Sequence, residues 1–269
     1  RSPRGRARRT SCSFAPTPDP GAKCGSRCSM RACWCATARR GRASPTACAS
    51  RWVRGRKTTR FSPRCAALSR RETRGMARSA RRSRATKETQ VDVHIDLDGP
   101  AATSIDTGIP FFDHMLDQLG KHGGFRLDVR AKGDLHIDTH HTIEDVSLAI
   151  GEAFREALGD KAGIRRFASG AFPLDEALVD VALDLSGRPF VAWDVALPEC
   201  LPLGNPPFDP QLAEHAVTSF ATAAAITLHV RKQSGTNVHH IIEATFKGLA
   251  RCLRDAVRVE SSGVPSTKG

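Results

Sequence analysis

Long apolar runs are missing from this 269-residue chain; the longest span only a few residues. A transmembrane helix needs roughly 20, so none is expected. No apolar stretch follows the basic N-terminus either, which argues against a secretory signal. Acidic residues are nearly missing from residues 1–75, which hold 20 Lys and Arg against Asp19 and Glu72, a net of +18. Histidine is missing there altogether, while seven of the nine cysteines crowd into it. Residues 76–269 carry 21 Lys and Arg against 26 acids, a net of −5, and all ten histidines. The overall +13 therefore belongs to the N-terminal segment and says nothing about the partners of the rest.

Residues 1–75 show no period of two or 3.6 and are rich in Arg, Ser, Ala, Pro and Gly. The expectation is a disordered or non-native extension over 1–78, with Met76 as the natural start. Cys24, Cys28, Cys33 and Cys35 lack paired C-x₂-C knuckles, and no histidine lies nearby to complete a zinc site. Arginines in such number could bind nucleic acid. An Arg- and Ser-rich, acid-poor leader also resembles an organelle transit peptide, which would place the protein in a plastid or mitochondrion. Otherwise the two cysteines beyond it, Cys200 and Cys252, suit a reducing cytoplasm.

The rest of the chain repeats itself. His140-His141-Thr142-Ile143-Glu144 returns 99 residues later as His239-His240-Ile241-Ile242-Glu243. His114 lies 26 residues before the first copy and His215 lies 24 before the second. Each HHxxE opens a helical pattern, Ile143, Val146, Ile150, Phe154, Leu158 and then Ile242, Phe246, Leu249, Leu253, Val257. On a helix His140 and Glu144 stand one above the other at i and i+4, so the two can share an ion. Adjacent histidines point about 100° apart, so each pair can serve two different ions. Six histidines and two glutamates suffice for two ions with four protein ligands each. Mixed imidazole and carboxylate donors suit Mn²⁺, Fe²⁺ or Zn²⁺ better than Ca²⁺.

Alternating segments surround these helices: Val91–Leu97, Thr103–Asp106, Phe125–Val129, Leu135–Ile137, Leu178–Leu185, Phe190–Val195 and Ile226–Val230. They predict an α+β fold of two pseudo-symmetric β-β-α-β-β-α halves, 84–172 and 173–269, with helices packed on one face of each sheet.

The strings Thr107-Gly108-Ile109-Pro110-Phe111-Phe112-Asp113-His114-Met115-Leu116, Gly133–Asp145, Asp184-Leu185-Ser186-Gly187-Arg188-Pro189, Gly235–Lys247 and Pro265–Gly269 resemble imidazoleglycerol-phosphate dehydratase. The resemblance runs from about Arg84 to the end. It implies a metal-dependent hydro-lyase of histidine biosynthesis that turns imidazole glycerol phosphate into imidazole acetol phosphate and water, through a metal-stabilised imidazolate. It implies two Mn²⁺ per subunit, held by His114, His140, His141, Glu144, His215, His239, His240 and Glu243. It implies an assembly of 24 identical subunits with active sites between neighbours. Glu88 matches the family's non-ligand acid, with Glu144 and Glu243 as the other catalytic carboxylates. Arg166, Arg188, Lys247, Ser266 and Lys268 match its phosphate-binding positions. Gln118 and His122 are expected to touch substrate or to support a ligand. Two departures are modest: the chain stops at Gly269, where the family usually runs on, and Ala216 replaces a frequent aromatic. A di-metal hydrolase and a nucleic-acid-binding protein built on residues 1–75 are the competing classes; neither a membrane nor a nucleic-acid partner is expected.

Overall fold

A computed structural model describes residues 77–266. The expectations for residues 1–75, and the assignment of Lys268, lie outside the described residues.

Each half contains four strands and two helices. The first runs β1 (Ser79–Ala85), β2 (Thr89–Asp96), β3 (Thr103–Asp106), α1 (Pro110–Gly123), β4 (Arg126–Gly133) and α2 (His140–Leu158). The second runs β5 (Phe167–Leu174), β6 (Ala177–Asp184), β7 (Phe190–Asp194), α3 (Leu212–Ala223), β8 (Thr227–Ser234) and α4 (Val238–Ala256). The fold is α+β with two similar halves, but the order within each is β-β-β-α-β-α, which corrects the expected β-β-α-β-β-α. Leu135 and Ile137 do not form a strand. They lie in a turn closed by Ile137 N–H donating to Asp134 O at 2.8 Å, and Ile137 is 67% exposed. The fourth strand of each half is instead the first, β1 or β5.

The sheets are ordered β1-β2-β4-β3 and β5-β6-β8-β7. In each, the outer pair joined through the short helix, β3 with β4 and β7 with β8, is parallel, and the other pairs are antiparallel. Alternation explains the layering. Val91, Val93 and Ile95 of β2, and Val179, Val181 and Leu183 of β6, all point inward, while their neighbours in sequence face outward. The helices cover that inward face. The long helix α2 lies on β1 and β2, and α4 lies on β5 and β6. The helices then meet across the two halves, α1 against α4 and α2 against α3, so one continuous core joins both sheets.

The helix crossings depend on small side chains. A Cβ on Gly151 of α2 would stand 2.5 Å from the Phe220 carbonyl oxygen and 2.7 Å from Ala223 Cβ of α3. In an open helix, Gly→Ala stabilises by about 1 kcal/mol. Here Gly151→Ala should reverse the sign and destabilise by about 1–3 kcal/mol, as overpacking does. Urea denaturation of the two proteins measures this directly; a more stable variant would show that the helices are not in backbone contact there.

Candidate metal centre

The two HHxxE sequences sit at the start of the long helices. Asn237 caps α4, its side chain accepting from the His239 and His240 N–H groups at 3.0 and 3.4 Å. Asp138 does the equivalent for α2, accepting from the Thr139 and His140 N–H groups at 2.6 and 3.3 Å. Both histidine pairs are thereby fixed in a first helical turn.

Two clusters form, and each takes ligands from both halves. His114 of α1 joins His239 and Glu243 of α4; His215 of α3 joins His140 and Glu144 of α2. Within each cluster one ligand atom per residue lies within 4.8 Å of the others. In the first, Glu243 Oε2 lies 3.0 Å from His239 Nε2 and 3.5 Å from His114 Nε2, and the His239 ring meets Phe111 edge-on at 5.1 Å. In the second, the His140 and His215 rings are 4.4 Å apart, centroid to centroid. His215 Nε2 is buried without a hydrogen-bond partner, and Glu144 Oε1 stands 3.7 Å away, beyond hydrogen-bond reach. An unsatisfied buried imidazole nitrogen beside a carboxylate is the donor set that a divalent cation satisfies.

Burial pushes the Glu243 carboxyl up, but hydrogen bonds from Lys247 and His239 outweigh it and hold it below the usual range. Lys247 Nζ lies 2.7 Å from Glu243 Oε1, one turn further along α4. Gln118 bridges His114 (3.4 Å) and His122 (3.1 Å) along α1. Burial, with the charges of Lys247 and Arg251, lowers the pKa of His122. Gln118, His122 and Lys247 therefore belong to the surroundings of the first cluster.

His141 and His240 join neither cluster of their own chain. Each is turned aside by a carboxylate: His141 Nδ1 lies 3.1 Å from Asp134 Oδ2, and His240 Nδ1 lies 2.8 Å from Glu176 Oε2. Asp134 and Glu176 were invisible to the motif, lying 7 and 64 residues from their histidines in sequence. The hydrogen bonds raise the pKa of both rings. A carboxylate on Nδ1 orients an imidazole and leaves Nε2 for an ion. Glu88 lies in the β1–β2 turn, exposed, near enough for its charge to favour protonated His141.

Arg166 and Arg188 lie elsewhere. Arg166 Nε and a terminal nitrogen grip Asp184 at 2.7 and 3.0 Å, and the other terminal nitrogen donates to the Pro265 carbonyl at 2.7 Å, beside Ser266. The Arg166 N–H donates to Ala256 O at the C-terminal end of α4. His239 is 17 residues back along that helix, about 25 Å at 1.5 Å per residue. Arg188 is exposed in the turn after β6, whose opposite end begins just after Glu176, the partner of His240 on α4.

Residues 107–253 match the family model described as Imidazoleglycerol-phosphate dehydratase. The chain is 56% identical over 196 residues to the imidazoleglycerol-phosphate dehydratase of Parafrankia sp., covering 72% of this chain and 99% of that protein. Over 197 residues it is 52% identical to that of Thermobifida fusca, with 72% and 99% covered. Among solved structures, the Pyrococcus furiosus enzyme superposes with a TM-score of 0.61 at 37% identity, covering 70% of this chain and 99% of that one. The Staphylococcus aureus enzyme gives 0.60 at 31% identity, covering 68% and 99%.

The Glu176 interaction has a pH signature in metal-free protein. Hydrogen bonds from His240 and then from the Asn237 N–H hold its pKa at about 2, against an ordinary 4.5. A depressed carboxylate contributes stability that is present above pH 4.5 and lost as pH falls through about 2. Glu176→Gln should flatten that part of the stability profile, measured by denaturation between pH 5 and pH 2; an unchanged slope would mean the His240 contact is absent in solution.

Proposed function

The chain belongs to the imidazoleglycerol-phosphate dehydratase family, hydro-lyases of histidine biosynthesis, and from that premise we propose that it dehydrates imidazole glycerol phosphate using two Mn²⁺ ions per subunit. The observation that carries the metal part is the pair of cross-half clusters, His114–His239–Glu243 and His140–Glu144–His215. Each offers three ligands, one short of the expected four. His141 and His240, oriented through Nδ1 with Nε2 left for an ion, are the residues suited to complete the set in a neighbouring copy.

The separation of groups supports an assembled site. A small phosphorylated imidazole is far shorter than the roughly 25 Å between His239 and the Arg166 end of α4. Arg166, with Ser266 beside it, therefore serves a phosphate whose imidazole is held by another subunit's clusters, and Arg188 and Lys268 join it by family resemblance. Lys247, next to Glu243, is the cation that stays close to the ions of its own chain. An assembly of 24 subunits, as the family resemblance implies, makes every such junction internal.

A bound Mn²⁺ supplies Lewis acidity and a fixed attachment for the imidazole nitrogens. The remaining work falls to the chain. The hydroxyl next to the ring leaves with a proton as water, as ring electrons flow out to the side chain. The neighbouring carbon then gives up its proton, and the enol so formed becomes the ketone of imidazole acetol phosphate. Glu88 is the carboxylate for that proton: it is no member of either cluster, and its charge acts on His141. Gln118 steadies the ring of His114, and Phe111 that of His239. Guanidinium forks and lysine charges hold the phosphate and fix the reacting carbon relative to Glu88.

Protein stripped of metal and reloaded should bind about two Mn²⁺ per chain and regain turnover of imidazole glycerol phosphate. His215→Ala should bind one fewer. Glu88→Gln should keep both ions while kcat falls about 10²–10⁴-fold, the usual contribution of a general acid–base group. Metal analysis and kinetics on the same samples decide it; loss of metal on substituting Glu88, or full turnover without it, would contradict the division of roles.

A further inference from the structure

The two halves use the same hairpin differently. Glu88 immediately precedes β2, and Glu176 immediately precedes β6; both strands have eight residues and bury matching positions. The two glutamates are thus counterparts. Glu176 is fully engaged: Oε2 faces His240 Nδ1 at 2.8 Å, and Oε1 accepts from the Thr236 and Asn237 N–H groups at 3.2 and 2.8 Å. It holds its histidine and fastens its hairpin to the loop before α4. The Glu88 carboxylate forms no hydrogen bond or ion pair among the described residues.

Other residues have taken over both tasks in the first half. Asp134, the residue after β4, holds His141. Asp145 fastens the hairpin. It is 7% exposed, and Arg84 Nε lies 2.7 Å from its Oδ1. Its Oδ2 accepts from the Thr89 hydroxyl and, at 3.4 Å, from that of Thr86. The Thr86 hydroxyl oxygen in turn accepts from the backbone N–H groups of Glu88 (3.2 Å) and Thr89 (3.0 Å). A chain of hydrogen bonds therefore runs from buried Asp145 to the backbone of Glu88. In the second half this network is missing, since Ala244 follows Glu243 where Asp145 follows Glu144, and Ala177 follows Glu176 where Thr89 follows Glu88.

We propose that Asp145 is a positioning residue: through Thr86 and Thr89 it holds the β1–β2 turn, so that Glu88, relieved by Asp134 of the ligand-holding task that Glu176 performs, stays available for proton transfer. This rests on the proton-transfer role given to Glu88 above.

The test is a double-mutant cycle on full-length, Mn²⁺-loaded protein, with kcat, KM and metal per chain read for each variant. Asp145→Asn should lower kcat about 10–100-fold, as misplacing a catalytic group by about 1 Å does. KM should stay within about twofold, and the metal count should match the parent protein. Combined with Glu88→Gln, the same change should cost little more, because the group it positions is already disabled. Thr86→Val, a milder change at the turn, should follow the same pattern, and it carries the test if Asp145→Asn does not fold. An equal loss of kcat in the Glu88→Gln background, or loss of metal together with activity, would show that Asp145 acts on the ligands of α2 and would overturn the proposal. Full turnover by Glu88→Gln alone would instead remove the assignment of Glu88 and the proposal with it, a result that needs no Asp145 variant to recognise.

Discussion

Each short helix packs against the long helix of the other half, and everything at the centre follows from that pairing. Had α1 met α2 and α3 met α4, each ligand set would have been local to one half. Instead His114 crosses to His239 and Glu243, and His215 crosses to His140 and Glu144. The crossing needs close helix approach, which Gly151 permits against the Phe220 carbonyl. It also needs aromatic filling, which Phe154 against Phe220, and Phe111 and Phe112 against Phe208, provide. The hydrophobic core and the candidate metal centre are therefore one construction: the same contacts that bury Leu116, Val217 and Leu249 set the distance between imidazoles.

Electrostatics sorts the histidines into two kinds. His114, His140, His215 and His239 face carboxylates within their clusters. His141 and His240 are held from outside by Asp134 and Glu176, each through Nδ1. This sorting is a consequence of helix geometry, since neighbours on a helix diverge by about 100°. One histidine of each pair points into its own chain, and the other points toward whatever lies beside it.

The duplication, the helical faces and most strands were legible from residue order, because periodicity and motif spacing are local properties. Thr103–Asp106 and the two HHxxE helices lie where alternation and amphipathicity place them. The strands that were missed have physical reasons. In β1, Ser79–Ala85, only Ala80 is fully buried, so the strand carries no hydrophobic alternation to read. Leu135 and Ile137 alternate but form a turn, with Ile137 in solvent. Which helix meets which was not legible at all: periodicity states which residues share a face, and never what that face meets. The same limit hid Asp134, Asp145 and Glu176, whose partners are brought to them by sheet register and packing. The matching positions of Glu88 and Glu176, each just ahead of an equal strand, are the one trace that a comparison of the halves leaves in the sequence.

Because neither half owns a complete cluster, a half of about a hundred residues could gather ligands only by finding a second copy of itself. Joining the two in one chain turns that encounter into an internal one, at an effective concentration on the order of millimolar. Convergence of each three-residue cluster then no longer depends on how much protein is present. It also lets the two copies drift apart, so that Asp145 and Ala244 can occupy matching places with different duties.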